Sequence, residues 1–222
     1  RTTKKRNIMR AYVFYTDNIL DCVEVLKKST DQIDDLEIVL IKGESNHSAD
    51  LAGATHDPQY MKLMLSRWQK LPDIIRDNGG SKILFIDADI VFNAYQKDFV
   101  KSIDCYLQHN DIVTQFDTNS GMSASINMGF LGIKCNDTSL NLFSKFSDIL
   151  SNVENPVAGF PQTQFNDYLK FDNKNPLNFK VLPQNYGYLV ENCYFYHAIG
   201  CGGNQNKINA MNCALKTFKS NN

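Results

Sequence analysis

At 222 residues the chain can bury one sizeable core, and a single domain is the expectation. A hydrophobic share of 43%, a charged share of 21% and a net charge of −1 give no ground for nucleic acid or an anionic membrane as a partner. No apolar run approaches the roughly 20 residues of a membrane helix, so no membrane span is expected.

Residues 1–8 (RTTKKRNI) are polar and read as a leader outside the fold, leaving 9–222 as one domain. RAYVFY (10–15) is a β-branched and aromatic run that stops at Thr16-Asp17-Asn18. In the following NILDCVEVLKKS, Ile19, Val23 and Leu26 recur at helical spacing. LEIVLI (36–41) is a second strand, a polar loop with Gly43, Gly53 and Pro58 follows, and YMKLMLSRWQKL (60–71) is helical. KILFI (82–86) is a third apolar strand, closed by Asp87-Ala88-Asp89. This alternation predicts an α/β fold with a mostly parallel central sheet flanked by helices.

The C-terminal half is mixed. DIVTQF (111–116) and INMGFLGIK (126–134) read as strands, and residues 138–153 and 162–170 as helices, the first capped by Asp137 or Thr138. FKVL (179–182) and CYFYHAI (193–199) are further strands, and NKINAMNCALKTF (206–218) is a closing helix. Cysteines 22, 105, 135, 193, 201 and 213 form no CxxC pair, which disfavours zinc. They read as free, buried thiols in a reducing, cytoplasmic compartment.

Chemistry is expected at the acidic pair. In open α/β sheets ligands bind beyond the carboxyl ends of the strands, where Asp87 and Asp89 stand. Two crowded carboxylates repel, and a divalent cation relieves both the repulsion and the cost of burial. Hard oxygen ligands suit Mg2+ or Mn2+ completed by phosphate oxygens. An acidic turn with no ligand is the plainer reading of the same pattern. Asp17 either caps the helix near Asn18 or accepts from a base or ribose. Lys62 and Arg67 read either as solvated charges or as contacts to diphosphate, with Lys62 the stronger candidate for contact. His197 is either a hydrogen-bonded core residue or a metal ligand, and Asn127 among apolar neighbours needs a partner.

The whole string resembles glycosyltransferase domains that decorate viral capsids, and five segments together resemble GT-A nucleotide-sugar glycosyltransferases of the glycogenin and bacterial lipooligosaccharide galactosyltransferase group. They are Tyr15-Thr16-Asp17, Tyr60-Met61-Lys62-Leu63, Asp87-Ala88-Asp89, Asn127-Met128-Gly129 and His197-Ala198-Ile199-Gly200. The resemblance implies a GT-A, Rossmann-like fold and a metal held by Asp87, Asp89 and His197. It implies a UDP-sugar site formed by Tyr15, Thr16, Asp17, Lys62, Ala88, Asn127, Gly200 and Gly203. Mn2+ or Mg2+ is the implied cofactor, a glycan or glycoprotein the acceptor, and the host cytoplasm the location of a viral member.

Two departures stand out. The group's acidic segment reads Pro161-Gln162-Thr163-Gln164-Phe165-Asn166 here, keeping Gln162 and Asn166 but neither acid. The Lys expected three residues after the late Gly is Gly203, so Lys207 or the Gly202-Gly203 backbone takes the phosphate role. The resemblance favours retention with Gln162 beneath the sugar, whereas inversion would need Asp117 or Asp167 as base. Asp117 is also placed to contact an acceptor. Asp89, read as a loop residue, is expected to tolerate Asp89→Ala in fold but not in transfer.

Three rivals remain at this level. A haloacid dehalogenase-type phosphatase would use Asp87 as nucleophile, but places its acidic motif on the first strand. A sugar-phosphate nucleotidyltransferase would carry a Gly-rich basic loop where this chain has TDNILD. A non-catalytic nucleotide-sugar binding module is motivated by the lost acids near 161–166.

Overall fold

The computed structural model describes residues 8–43, 58–117, 126–152, 160–171 and 177–220. Residues 1–7, 44–57 and 118–125, on which the expected leader and two expected loops fall, lie outside the described residues. Strands β1 (Met9–Tyr15), β2 (Leu36–Lys42) and β3 (Lys82–Ile86) match the first three expected runs. β4 (Ile90–Phe92), β5 (Ile112–Phe116), β6 (Ile126–Lys134), β7 (Phe179–Val181), β8 (Tyr186–Gly187) and β9 (Phe195–His197) complete the set. The helices are α1 (Leu20–Thr30), α2 (Pro58–Asp77), α3 (Phe99–His109), α4 (Asp137–Ser151), α5 (Phe160–Phe171) and α6 (Asn204–Ser220).

Six strands form one sheet in the order β2-β1-β3-β6-β5-β7. β1 pairs parallel with β2 and β3, and β5 parallel with β7; only β6 runs against its neighbours. Period-2 alternation splits β3 between two cores. Leu84 and Ile86 pack under α1, α3 and α6, while Ile83 and Phe85 pack under α2, α4 and α5. Helices therefore cover both faces, as a sheet buried on both sides requires.

The second sheet, β4-β9-β8, matters most for the site. β4 leaves the acidic pair and runs antiparallel to β9, with Ile90 opposite His197. The short β4 and β8 carry too few residues for a periodic signal, and the sequence reading omits them. It also omits α3, although Phe99, Val100, Ile103 and Leu107 fall on one buried stripe.

Two boundaries differ from expectation. α2 continues past Pro72 to Asp77, because Leu71, Ile74 and Ile75 extend its buried stripe. α4 is capped by Asn136 rather than Asp137 or Thr138. The Asn136 side chain accepts from Ser139 N at 2.9 Å while Ser139 Oγ accepts from Asn136 N at 3.2 Å, a reciprocal box. No helix among the described residues is long and apolar enough to cross a membrane.

Candidate active site

Backbone hydrogen bonds fix the acidic pair where β3 ends. Asp87 N donates to Gly129 O at 2.7 Å, tying the first acid to β6. Ala198 N donates to Asp89 O at 3.0 Å, tying the second to the end of β9. The β4–β9 register then brings His197, remote in sequence, against both acids. Its Nε2 lies 3.2 Å from Asp89 Oδ1 and 3.6 Å from Asp87 Oδ2. One ligand atom from each of the three residues can be chosen so that all lie within 4.8 Å of one another.

Space for this cluster comes from Gly129. A Cβ there would lie 2.3 Å from His197 Cε1 and 2.5 Å from Asp87 Oδ2. The missing side chain is what lets ring and carboxylate close on one point.

Cations hold the acids ionised. Lys207 Nζ sits 2.7 Å from Asp89 Oδ2, and Arg67 Nη1 donates to Asp87 Oδ1. Burial pushes the Asp89 carboxyl toward its neutral form, but Lys207 and then His197 outweigh it and hold its pKa well below the usual carboxylate range. Burial opposes ionisation of Asp87 in the same way and is overcome first by Arg67, then by His197. Burial disfavours the charged His197 ring, yet Asp89 and Asp87 raise its pKa to about 9.

Arg67 corrects the sequence reading. Far from being solvated, its side chain is 8% exposed, with Cζ 4.8 Å from the ring centroids of both Trp68 and Phe85. The signal was present, because position 67 falls on the apolar α2 stripe with Leu71 and Ile74. Asp89 needs a correction too. It lies in a turn, as read, but is buried at 6% exposure between Lys207 and His197, so removing its side chain would take one contact from each. Gln115, unremarked in the sequence, is wholly buried with Oε1 3.0 Å from His197 Nδ1.

A cavity of about 380 Å³ opens over the two acids of the cluster, and His197 is not among its lining residues. Of the residues the resemblance implies for the donor, Tyr15, Thr16, Ala88 and Gly200 line it, together with Leu63, Met64, Arg67, both acids and Lys207. Asp17, Lys62, Asn127 and Gly203 do not line it. The Asp17 carboxylate instead faces Lys42 Nζ at 2.8 Å, and Lys62 is exposed. Asn127 Oδ1 accepts from Gly129 N at 2.8 Å, a bond within the floor of the cluster. Gly203 has φ of 78° where the chain turns into α6, a conformation glycine adopts at least cost.

Gln162 and Asp117 meet beside β6. Gln162 Nε2 donates to Asp117 Oδ2 at 2.6 Å, and its Oε1 accepts from Met128 N at 3.1 Å. Asn166, one turn on, accepts from Ile126 N at 2.9 Å and donates back to Ile126 O at 3.2 Å. Asp167 is exposed.

A family model described as nucleotide-diphospho-sugar transferase matches residues 28–211. The chain belongs to that family. This transferase also resembles solved structures over nearly its whole length. A glycosyltransferase involved in glycosylation of the major capsid of PBCV-1 is 13% identical with a TM-score of 0.65, over 92% of this chain and 99% of that one. The galactosyltransferase LgtC is 12% identical with a TM-score of 0.59, over 96% of each chain. The glycosyltransferase GlyE of Streptococcus pneumoniae TIGR4 is 15% identical with a TM-score of 0.59, and the match covers 97% of this chain but 64% of GlyE. A comparison with curated proteins found no match.

At such identities the likeness establishes the fold, which is GT-A. Family and fold together make the protein a glycosyltransferase acting on a sugar nucleotide, and they set aside the phosphatase reading of Asp87.

Proposed function

We propose that this transferase moves a hexose-type sugar from a UDP-sugar to a glycan or glycoprotein acceptor, using a divalent ion held by Asp87, Asp89 and His197. The observation that carries the reading is the convergence of those three ligand atoms within 4.8 Å, under a cavity that also presents Arg67 and Lys207. Two carboxylates and an imidazole suit a small hard cation, and the imidazole favours Mn2+ over Mg2+. When bound, such an ion supplies electrostatic stabilisation of the departing diphosphate.

The chain's own residues do the rest. Arg67 and Lys207 offer cationic N–H groups to phosphate oxygens along the cavity wall. Tyr15, Ile19, Leu63 and Met64 give the same cavity an apolar part suited to a nucleobase. Gln162 is held at both ends of its amide, which fixes Asp117 beside β6, where the pair would meet sugar or acceptor hydroxyls. Retention is our choice of stereochemistry, on the family resemblance. The six free cysteines suit a reducing, cytoplasmic compartment, and residues 9–222 are taken as one catalytic domain.

The test is UDP release from a panel of UDP-sugars with acceptor glycans, in Mn2+ and in chelator. Asp89→Asn keeps the side-chain shape and should lower turnover by about 1,000-fold, the scale of one electrostatic catalytic group. Full turnover in chelator, or by Asp89→Asn in Mn2+, would sink the proposal. UDP-sugar binding without UDP release from any acceptor would instead mark a non-catalytic binding module.

A further inference from the structure

We propose that Gln115 is a positioning residue for His197, its amide oxygen fixing which imidazole nitrogen faces the acidic pair. The inference rests on the metal reading above and concerns a residue that touches neither donor cavity nor carboxylates.

A glutamine at 0% exposure inside a strand calls for a reason, since a buried amide without partners is costly. Its oxygen has one, being 3.0 Å from His197 Nδ1. Its nitrogen has no hydrogen-bond partner among the described residues. What holds a glutamine here is therefore an acceptor aimed at the ring. An oxygen at that distance requires a proton on Nδ1. The lone pair of Nε2 is then free to point between Asp87 and Asp89 when an ion is bound. The reversed amide would donate to Nδ1 and leave the proton on Nε2, facing the carboxylates and closing the ligand position.

The surroundings hold the plane of the amide, and the ring contact sets which end faces His197. β5 loses register with β6 between Thr114 and Gln115, and Thr114 Oγ1 donates to Asn127 O at 2.8 Å across that irregularity. On the far side, β8 brings Gly187 backbone against the amide. A Cβ at Gly187 would lie 2.3 Å from both Cδ and Nε2 of Gln115, and its φ of 118° is one that other residues rarely adopt. Gly187 pairs with Tyr196, the neighbour of His197, so one short sheet carries both the ring and the wall behind its partner. Tyr188 Oη donates to Phe116 O at 3.0 Å and pins β8 to β5. The ring is thus fixed at Nδ1 by Gln115 and at Cε1 by the bare Gly129.

The experiment titrates Mn2+ alone onto chelator-treated protein and reads free ion by electron paramagnetic resonance. Wild type, His197→Ala, Gln115→Leu and Gln115→Glu are compared, with circular dichroism and Tm on each. Gln115→Leu should weaken Mn2+ binding about 10–100-fold, the usual effect of losing a partner behind a ligand. Gln115→Glu still presents an acceptor and should stay within a few-fold of wild type. A structural role alone would lower Tm and leave the Mn2+ affinity of the folded Gln115→Leu protein unchanged, which overturns the proposal. If His197→Ala binds Mn2+ as wild type does, or wild type binds none, the metal reading falls and this inference with it. Should Gln115→Leu fail to fold, long-range nitrogen–proton NMR of wild type loaded with Mg2+ decides. A proton on His197 Nδ1 supports the assignment, and its absence refutes it.

Discussion

Lys207 and Asp89 are 118 positions apart, yet Lys207 Nζ lies 2.7 Å from Asp89 Oδ2. The first turn of α6 thus places an ammonium on one of the carboxylates proposed to hold the ion. On the proposed metal reading, an ion at Asp89 would take over the charge balance there and leave the Lys207 ammonium to a phosphate.

Lys207→Met should therefore move two affinities in opposite directions. Mn2+ alone should bind more tightly, because the ammonium no longer competes for Asp89. UDP in saturating Mn2+ should bind about 10–100-fold more weakly, the equivalent of one lost charge-assisted hydrogen bond. Isothermal titration calorimetry measures both, and unchanged UDP affinity would remove Lys207 from the donor site.

The ion-free protein should have a defined pH window. The pKa of His197 is raised from 6.5 to about 9, so its contribution to stability is complete below 6.5 and lost as pH climbs through about 9. That of Asp89 is lowered from 3.8, so its contribution holds above 3.8 and fades as pH falls below it. In chelator, Tm should be highest between about pH 4 and 6.5 and decline toward pH 9. His197→Gln should flatten the alkaline decline; an unaltered decline in that variant would assign it to other groups.

Gly129→Ala should damage the site through geometry alone. Its Cβ meets His197 Cε1 and Asp87 Oδ2 at distances that force one of them to move. Overpacking of this kind costs about 1–3 kcal/mol, and Mn2+ binding should weaken with it. Gly202→Ala is the matched control, because a Cβ there meets nothing within 4 Å. Its unfolding free energy should stay within about 0.5 kcal/mol of wild type. Similar losses in both variants would disprove the steric account.

Strands with strong local patterns were legible in the sequence, and pairings between distant segments were not. KILFI and INMGFLGIK are β3 and β6 to the residue, because buried strands read as unbroken apolar runs. The acidic pair was legible from its place after β3. The Gln115–His197 contact was not, since it depends on β8 and β9 pairing and on a register shift that leaves no periodic trace. Gln162 and Asp117 were each singled out, but their mutual hydrogen bond appears only once α5 packs against β6. Lys62 and Asp17 stand in motif segments, and in the fold neither is among the residues that line the cavity.

Thiol chemistry should sort the six cysteines by burial. Cys105 and Cys213 are exposed, against the expectation of buried thiols throughout, while Cys22, Cys135 and Cys193 are buried. Burial pushes the Cys22 thiol up to about 11 and the Cys135 thiol to about 12, which suppresses the reactive thiolate. Ellman's reagent should label Cys105 and Cys213 within minutes and the buried three only in denaturant. Rapid labelling of Cys135 in the native protein would contradict the packing beneath α4.

Arg67 tests whether the cations around the acids stand in for the ion. Its guanidinium lies between Trp68 and Phe85 and donates to Asp87, so charge and planar stacking contribute together. Arg67→Lys keeps the charge but loses the flat stack, a cost of about 1–2 kcal/mol in chelator. Arg67→Met leaves a half-buried carboxylate beside Asp89 without its cation, and about 3 kcal/mol is expected. Saturating Mn2+ should then raise the Tm of Arg67→Met by more than that of wild type, because the ion supplies the missing charge and binds only the native state. Equal Mn2+-induced shifts in the two proteins would show that Arg67 and the ion do not share Asp87.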